Sequence, residues 1–199
     1  MVIPTDSRYV PLTQQKWCCV PTCIQMVMYR HNLPLIPAEL IGCELGLTVP
    51  KSEIHLFWNA RTGKEPKAGW GTRIGEKKFE PNAAFKRLKI LLRMDLKLIY
   101  EFPTLSEFKT YLEKVEKDDL DVLTCFDWQT LFGEGNHGGH VCVLDKVFLE
   151  RGEVRIIDPE FKSPKWRIVK LDKLYEAMKF HGKEKSGGFW ELRVQGTKK

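Results

Sequence analysis

One cysteine near the N-terminus occupies a position that suits nucleophilic chemistry. Cys19 opens a segment in which apolar residues recur at helical spacing, and it follows a polar stretch that contains Gln14 and Gln15. The unpaired N–H groups and the dipole at a helix N-terminus stabilise an anion, which favours the reactive thiolate of a cysteine placed there. On position alone, a cysteine in an apolar helix is more commonly a small core residue. A catalytic role for Cys19 therefore requires partners elsewhere in the chain.

The second half of the chain supplies such partners. His140 follows two glycines and begins the alternating segment His-Val-Cys-Val-Leu, whereas Asp158 ends the segment Val-Arg-Ile-Ile-Asp and precedes a proline. A turn at Arg151 and Gly152 would pair the two segments as antiparallel strands and bring His140 beside Asp158. A cysteine, a histidine and a carboxylate that orients the histidine are the groups that nucleophilic acyl transfer requires.

This pattern resembles the papain-like cysteine peptidases of the C39 and C39-like group. The motifs that carry the likeness are Gln14, Cys19-Val-Pro-Thr-Cys-Ile-Gln-Met-Val-Met, Gly-Gly-His140-Val-Cys-Val-Leu and Ile-Ile-Asp158-Pro. They lie within residues 10–35 and 137–160, which together make about a quarter of the chain. The resemblance implies an α+β papain-like fold in which N-terminal helices pack on a mainly antiparallel sheet.

The resemblance also implies a role for each matched residue. Cys19 would be the nucleophile, His140 its base and later the general acid, and Asp158 the group that orients His140. Gln14, together with the backbone N–H of Cys19, would hold the oxyanion of the tetrahedral intermediate. The neighbouring Gln15 leaves the identity of this glutamine open.

The segment around the cysteine departs from the family pattern. Val20 stands where the family usually has glycine, and Cys18 is a second possible nucleophile. We prefer Cys19 because Pro21 then falls where the family's proline does. A degenerate, non-catalytic member of the group is the alternative.

The residues before His140 are candidates for lining a substrate cleft. They are Trp128, Asn136 and His137. The predicted activity is cleavage of a peptide or amide bond in a peptide or protein substrate, by a hydrolase or by a transferase that uses the same acyl-enzyme. No metal or organic cofactor is implied.

A metal site is a rival interpretation of the same region. Its candidate ligands are His137, His140 and Cys142, with thiolates from Cys18, Cys19 and Cys23. Structural zinc sites usually contain paired C-x-x-C elements, which this sequence lacks. We therefore predict no metal.

The positive charge of the chain is concentrated in one segment. Residues 61–95 contain ten basic and four acidic residues, which equals the whole formal charge of +6. Such a segment is most often a solvated surface. The main alternative function is a non-catalytic binding module in which residues 61–93, with Trp58 and Trp70, bind nucleic acid or an acidic partner. Alternatively, the segment recognises substrate beside the thiol.

The pattern of elements predicts helices first and strands later, which is typical of the α+β class. The expected helices cover 19–31, 37–46, 52–60, 104–118 and 172–180, and a further helix carries Phe85, Leu88 and Leu92. Ser52 and Asn82 are the expected N-caps of the third helix and of this further helix. A capping box is expected at Thr104. The expected strands cover 96–102, 121–126, 140–149, 154–157, 166–169 and 188–194.

The composition fits one soluble globular domain. The chain has 199 residues, of which 43% are hydrophobic and 29% charged, so it can bury a full core. We expect a single domain over 1–199 with a basic loop and helix inserted at about 61–95. There is no apolar run of about 18 residues and no signal peptide, so we expect a cytoplasmic protein without membrane association. The six cysteines are expected to be free thiols.

Overall fold

The computed structural model describes residues 4–58 and 62–196. The helices of this part are α1 Cys19–Arg30, α2 Ala38–Glu44, α3 Pro81–Leu88, α4 Leu105–Lys117, α5 Trp128–Phe132 and α6 Leu171–His181. The strands are β1 Thr48–Val49, β2 Lys67–Ala68, β3 Leu92–Leu98, β4 Asp121–Asp127, β5 Gly139–Phe148, β6 Glu153–Ile157, β7 Trp166–Lys170 and β8 Gly188–Val194. The end of the predicted helix 52–60 and the start of the basic segment at Arg61 lie outside the described residues.

Six strands form one antiparallel sheet in the order β3-β8-β4-β5-β6-β7. β8 follows the other strands in sequence but lies between the edge strand β3 and β4. The short strands β1 and β2 pair in parallel as a separate unit. The predicted α+β class, with N-terminal helices on a mainly antiparallel sheet, is confirmed.

Helices cover both faces of the sheet. One core cluster joins α1, α2 and α3 to residues such as Val141 and Val143 of β5. A second cluster joins α4 and α6 to Cys142 and Leu144 of the same strand. Successive side chains of a strand point to opposite faces, so two covered faces require an almost continuous apolar run. This explains why every residue of β4 is buried.

Helix α1 begins at Cys19, as predicted. Pro21 lies in its first turn, where a missing N–H has no intrahelical partner to lose. The predicted capping box of α4 is also confirmed, because the Thr104 hydroxyl accepts from the Glu107 N–H and the Glu107 carboxylate accepts from the Thr104 N–H.

Two predicted elements are wrong in their details. Residues Lys51–Leu56 form a 3₁₀ helix that follows Pro50, so Ser52 is not an N-cap. The N-cap of α3 is Glu80 rather than Asn82, because the Glu80 carboxylate accepts from the N–H groups of Asn82 and Ala83.

The end of α3 also differs from its prediction. Lys89 adopts a left-handed conformation with φ of 58° and ends the helix after Leu88. Leu92 therefore begins β3 instead of continuing the helix, and this strand covers Leu92–Leu98 rather than 96–102. Both α3 and β3 contribute to the first core cluster. The limits of the predicted insertion at 61–95 stay a prediction.

The N-terminal segment is tied to β5 at a break in the strand pairing. The β5–β6 register shifts between Leu144 and Lys146, and Asp145 at this position is fully buried. Its carboxylate accepts from Ser7 Oγ at 3.0 Å, from the Arg8 N–H at 2.9 Å and from Arg155 Nε at 2.5 Å. These bonds fix the chain that leads to Gln14. Among the described residues, no helix is long and apolar enough to cross a membrane.

Candidate active site

The hairpin of β5 and β6 brings His140 and Asp158 into contact. Val143 pairs with Ile157, and continuing this register sets Asp158 opposite Cys142 and diagonal to His140. The distance between His140 Nε2 and Asp158 Oδ1 is 2.8 Å. Asp158 Oδ1 also accepts from the Glu160 N–H at 2.9 Å, and the Arg167 Nε lies 3.2 Å from Asp158 Oδ2 as an ion pair.

The titration of both groups reflects this contact. Burial alone would raise the pKa of Asp158, but the hydrogen bond from His140, the backbone N–H of Glu160 and the charge of Arg167 lower it. Burial alone would lower the pKa of His140, yet Cys142, Asp158 and the Cys19 thiol raise it well above its usual range. An imidazolium beside an ionised carboxylate is the arrangement that this pair favours.

Two thiols, those of Cys142 and Cys19, raise the pKa of this imidazole. Cys19 is half-buried at the start of α1, and one turn later Cys23 Sγ donates to the Val141 carbonyl at 3.3 Å. This second contact fixes α1 against the beginning of β5. Because His140 Nε2 is bonded to Asp158, Nδ1 is the nitrogen that remains for a thiol.

Cys18 has a different environment from Cys19. It is fully buried and packs with Leu47, Val49 and Phe57. Burial raises the pKa of the Cys18 thiol to about 12, so it stays neutral and inert at physiological pH. This contrast favours Cys19 as the reactive thiol.

Cys142 is a neighbour of His140 that sequence reasoning assigned only to a metal site. One potential ligand atom from each of His140, Cys142 and Asp158 lies within 4.8 Å of the other two, and all three residues are buried. Burial raises the pKa of Cys142 to about 12. The three could hold a metal ion, although both hydrogen bonds to Asp158 Oδ1 would compete with it. The i, i+2 spacing from His140 along a strand was the signal for this proximity.

The polar stretch before α1 places Gln14 against the chain that follows Asp158. The Gln14 N–H donates to the Pro159 carbonyl at 2.9 Å, and Gln14 Nε2 donates to Glu160 Oε2 at 2.5 Å. Gln14 is buried, whereas Gln15 is exposed. Only tertiary structure reveals the partner Glu160.

A cavity of about 610 Å³ opens beside His140. Its lining consists of Trp128, Glu134, Gly138, Gly139, His140, Glu160, Lys162, Ser163, Pro164 and Arg167. The Trp128 ring meets His140 edge-on, with 4.9 Å between ring centroids, and the Arg167 guanidinium lies 5.0 Å from the centre of the Trp128 ring. Trp128 therefore lines a cavity beside His140, and its contact with substrate stays a prediction.

The two other predicted cleft residues lie differently. His137 Nδ1 is 2.9 Å from Asp127 Oδ1, and the His137 ring stacks on Phe180 with centroids 4.5 Å apart. Asn136 is exposed in the loop before β5. The structure does not bring His137 into the group formed by His140, Cys142 and Asp158, as the metal interpretation required. Substrate contact by Asn136 and His137 stays a prediction.

Gly139 holds the loop in close contact with α6 at the start of β5. A Cβ on Gly139 would lie 2.6 Å from Cε1 of the His181 ring, which is closer than such contacts occur. Glycine before His140 therefore permits the close packing of α6 beside the site.

The basic segment carries several exposed lysines. Three of its arginines have partners: Arg73 lies over the Phe79 ring, Arg87 pairs with Glu44, and Arg93 pairs with Asp95. Lys64, Lys67, Lys77 and Lys78 are exposed. Trp58 and Trp70 are 65% and 72% exposed, and Trp70 meets Trp17 edge-on at 5.0 Å.

The chain has a papain-like α+β architecture, in which the helix that begins at Cys19 packs on the strand that carries His140. Among solved structures, the chain is similar to the crystal structure of a candidate C39-like peptidase from Bacillus anthracis. The two are 17% identical with a TM-score of 0.52, over 94% of this chain and 96% of that chain. This similarity confirms the predicted fold. No protein-family model matches the chain, and no curated protein matches its sequence.

Proposed function

We propose that this protein is a thiol-dependent hydrolase of the cysteine peptidase type, resembling the C39-like group, that cleaves a peptide or amide bond through an acyl-enzyme on Cys19. The observation that carries the proposal is the 2.8 Å hydrogen bond from His140 Nε2 to Asp158 Oδ1, on an imidazole whose pKa the Cys19 thiol helps to raise. The cavity beside His140 is lined by neither Cys19 nor Gln14, so it offers space for a part of the substrate away from the scissile bond.

The first half of the reaction forms the acyl-enzyme. The Cys19 thiol transfers its proton to His140 Nδ1, and the thiolate attacks the substrate carbonyl carbon. Gln14 Nε2–H and the Cys19 N–H stabilise the resulting oxyanion. His140 then donates the proton to the leaving nitrogen as the C–N bond breaks, which leaves a thioester on Cys19 and releases the amine.

The second half restores the thiol. His140 Nδ1 takes a proton from a water molecule that attacks the thioester carbonyl, and the same proton returns to the Cys19 sulfur as the C–S bond breaks. Asp158 keeps Nε2 protonated throughout, so that Nδ1 is always the nitrogen that exchanges the proton. A second amine in place of water would make the same acyl-enzyme a transferase.

Acetylation by p-nitrophenyl acetate tests the proposal, since this activated ester demands little substrate recognition. We expect a burst of p-nitrophenol, and mass spectrometry should locate one acetyl group on Cys19. Cys19→Ala should abolish the burst and His140→Ala should slow it at least about 100-fold, because the thiol loses its general base.

Cys18→Ala is the matched control for this experiment. Cys18 is buried and its pKa is raised, so the variant should retain most of the burst. Loss of the burst in Cys18→Ala, with Cys19→Ala still active, would identify Cys18 rather than Cys19 as the nucleophile. Absence of acetylation at either cysteine would reject the hydrolase and leave the binding module as the better hypothesis.

A further inference from the structure

The segment 158–160 contacts both the imidazole of His140 and the residue Gln14. Asp158 holds His140, while the Pro159 carbonyl and the Glu160 carboxylate hold the backbone and the side chain of Gln14. The segment is itself fixed, because the Glu160 N–H donates to Asp158 Oδ1 and Lys165 Nζ donates to the carbonyls of residues 159 and 160 at 3.2 and 3.0 Å. Three consecutive residues thus set the positions of the imidazole and of the glutamine amide.

The side-chain amide of Gln14 has two possible orientations, and only one of them can stabilise an oxyanion. A primary amide presents either a carbonyl oxygen or an NH₂ group, and an oxyanion requires the NH₂ group. An ionised carboxylate only accepts hydrogen bonds, so Glu160 Oε2 can bond to Gln14 through Nε2 alone. Nε2 carries two hydrogens, and one of them remains after the bond to Glu160 has formed.

No other contact within the described chain selects this orientation. Gln14 Oε1 is buried and has no hydrogen-bond partner among the described residues. The 2.5 Å bond from Nε2 to Glu160 is therefore the contact that distinguishes the two ends of the amide. An uncompensated buried carbonyl oxygen costs free energy, which the charge-assisted bond to Glu160 offsets.

We propose that Glu160 is a positioning residue that orients the Gln14 amide, so that the second Nε2 hydrogen faces the developing oxyanion. This inference rests on the proposed function, because it assigns Glu160 a part in the acyl-transfer step on Cys19. Glu160 acts through Gln14 and does not touch the reacting atoms. Its negative charge is balanced nearby by Lys165, which binds the carbonyl of Glu160 itself.

Two reactions of the same thiol separate this role from a general structural role. Acetylation by p-nitrophenyl acetate passes through an oxyanion, whereas alkylation by iodoacetamide does not. Glu160→Ala should slow acetylation about 10- to 100-fold and Gln14→Ala about 100-fold or more, while both leave alkylation of Cys19 within about twofold. Glu160→Gln retains an acceptor oxygen and should recover most of the acetylation rate.

The double variant Gln14→Ala/Glu160→Ala provides the decisive comparison. Because Glu160 acts through Gln14, the double variant should be no slower in acetylation than Gln14→Ala alone. Rates that multiply instead would show that Glu160 acts independently of Gln14 and would overturn the proposal. Glu150→Ala removes an exposed carboxylate at the opposite end of the β5–β6 hairpin and should change neither reaction.

A measurement without turnover distinguishes failure of this inference from failure of the proposed function. In protein labelled with ¹⁵N in glutamine side chains, Gln14→Ala identifies the amide signal of Gln14. The charge-assisted bond should shift one of its two hydrogens downfield, and Glu160→Ala should remove that shift. An unchanged Gln14 signal in Glu160→Ala would reject the positioning role, whether or not wild-type Cys19 is acetylated.

Discussion

His140 is subject to two opposing effects that determine its charge. Burial disfavours the imidazolium, whereas the neighbouring Cys142 and the 2.8 Å bond to the ionised Asp158 favour it. The favourable contacts prevail, so the pKa of His140 lies well above its usual range. A protonated imidazole next to Cys19 is also the state that stabilises a thiolate, which links the charge of His140 to the reactivity of the cysteine.

Replacing Asp158 should reverse this balance. In Asp158→Asn the imidazole loses its anionic partner but remains buried, so the pKa of His140 should fall below its usual range. A titration of the imidazole protons by nuclear magnetic resonance measures the change. Asp127→Asn is the control, because Asp127 pairs with His137, and it should leave the pKa of His140 unaltered. An unchanged pKa of His140 in Asp158→Asn would contradict the pairing.

The same variant should change how stability depends on pH. A raised pKa of His140 contributes stability that is complete below about pH 6.5, the unfolded value, and is lost as pH rises through the folded pKa. The lowered pKa of Asp158 contributes stability above about pH 3.9 that is lost in acid. Asp158→Asn should therefore be most destabilising between these limits, and denaturant unfolding across pH checks this window.

The N-terminal segment depends on one buried carboxylate. Asp145→Ala removes the acceptor for Ser7, Arg8 and Arg155 together, and leaves the buried Arg155 with Asp6 as its remaining ion-pair partner. We expect a loss of about 3 kcal/mol in the free energy of unfolding, measured in urea. Glu150→Ala, on the turn of the same hairpin, should change it by less than about 0.5 kcal/mol. Equal effects would show that Asp145 does not anchor the segment.

Local signals in the sequence predicted some elements and missed others for a physical reason. The start of α1 at Cys19 followed from helical spacing and from Pro21, both of which act within one turn. The end of α3 was missed because its left-handed residue is Lys89, whereas glycine or asparagine usually marks this position. Because no glycine or asparagine marks the end of the helix, the apolar spacing predicted that the helix extends to Leu92.

The same distinction applies to the candidate site, where some contacts could be predicted from the sequence and others could not. The contact between His140 and Asp158 could be predicted, because a hairpin pairs residues at nearly equal distances from its turn. Glu160 could not be predicted as a partner of Gln14, since the two are separated by 146 residues and meet through a loop whose course only packing determines. Arg167 was missed for the same reason, because it reaches Asp158 from the neighbouring strand β7.

The concentration of charge in one region suggests a test of the basic segment. Reversing Lys64, Lys67, Lys77 and Lys78 to glutamate should weaken retention on heparin at low salt, because these lysines are exposed and attract an acidic polymer. Acetylation of Cys19 by p-nitrophenyl acetate should stay within about twofold of wild type, since the ester needs no such surface.

A matched variant distinguishes the effect of the basic segment on heparin retention from the effect of the total charge. Reversing Lys109, Lys114, Lys117 and Lys173, which are exposed on α4 and α6, changes the formal charge by the same amount. It should leave most of the retention intact. Equal losses in the two variants would mean that only the total charge matters and that no acidic partner binds the segment.

The position of β8 has a consequence for how the protein is made. A ribosome releases the cysteine of α1 early, but β3 and β4 cannot be bridged until residues 188–194 have left the exit tunnel. Until then β3 stays apart from the four paired strands β4 to β7, and non-local strand pairing of this kind forms slowly. The edge strand β3 therefore joins the sheet last, whereas the hairpin that carries His140 and Asp158 needs no residue of β8 for its pairing.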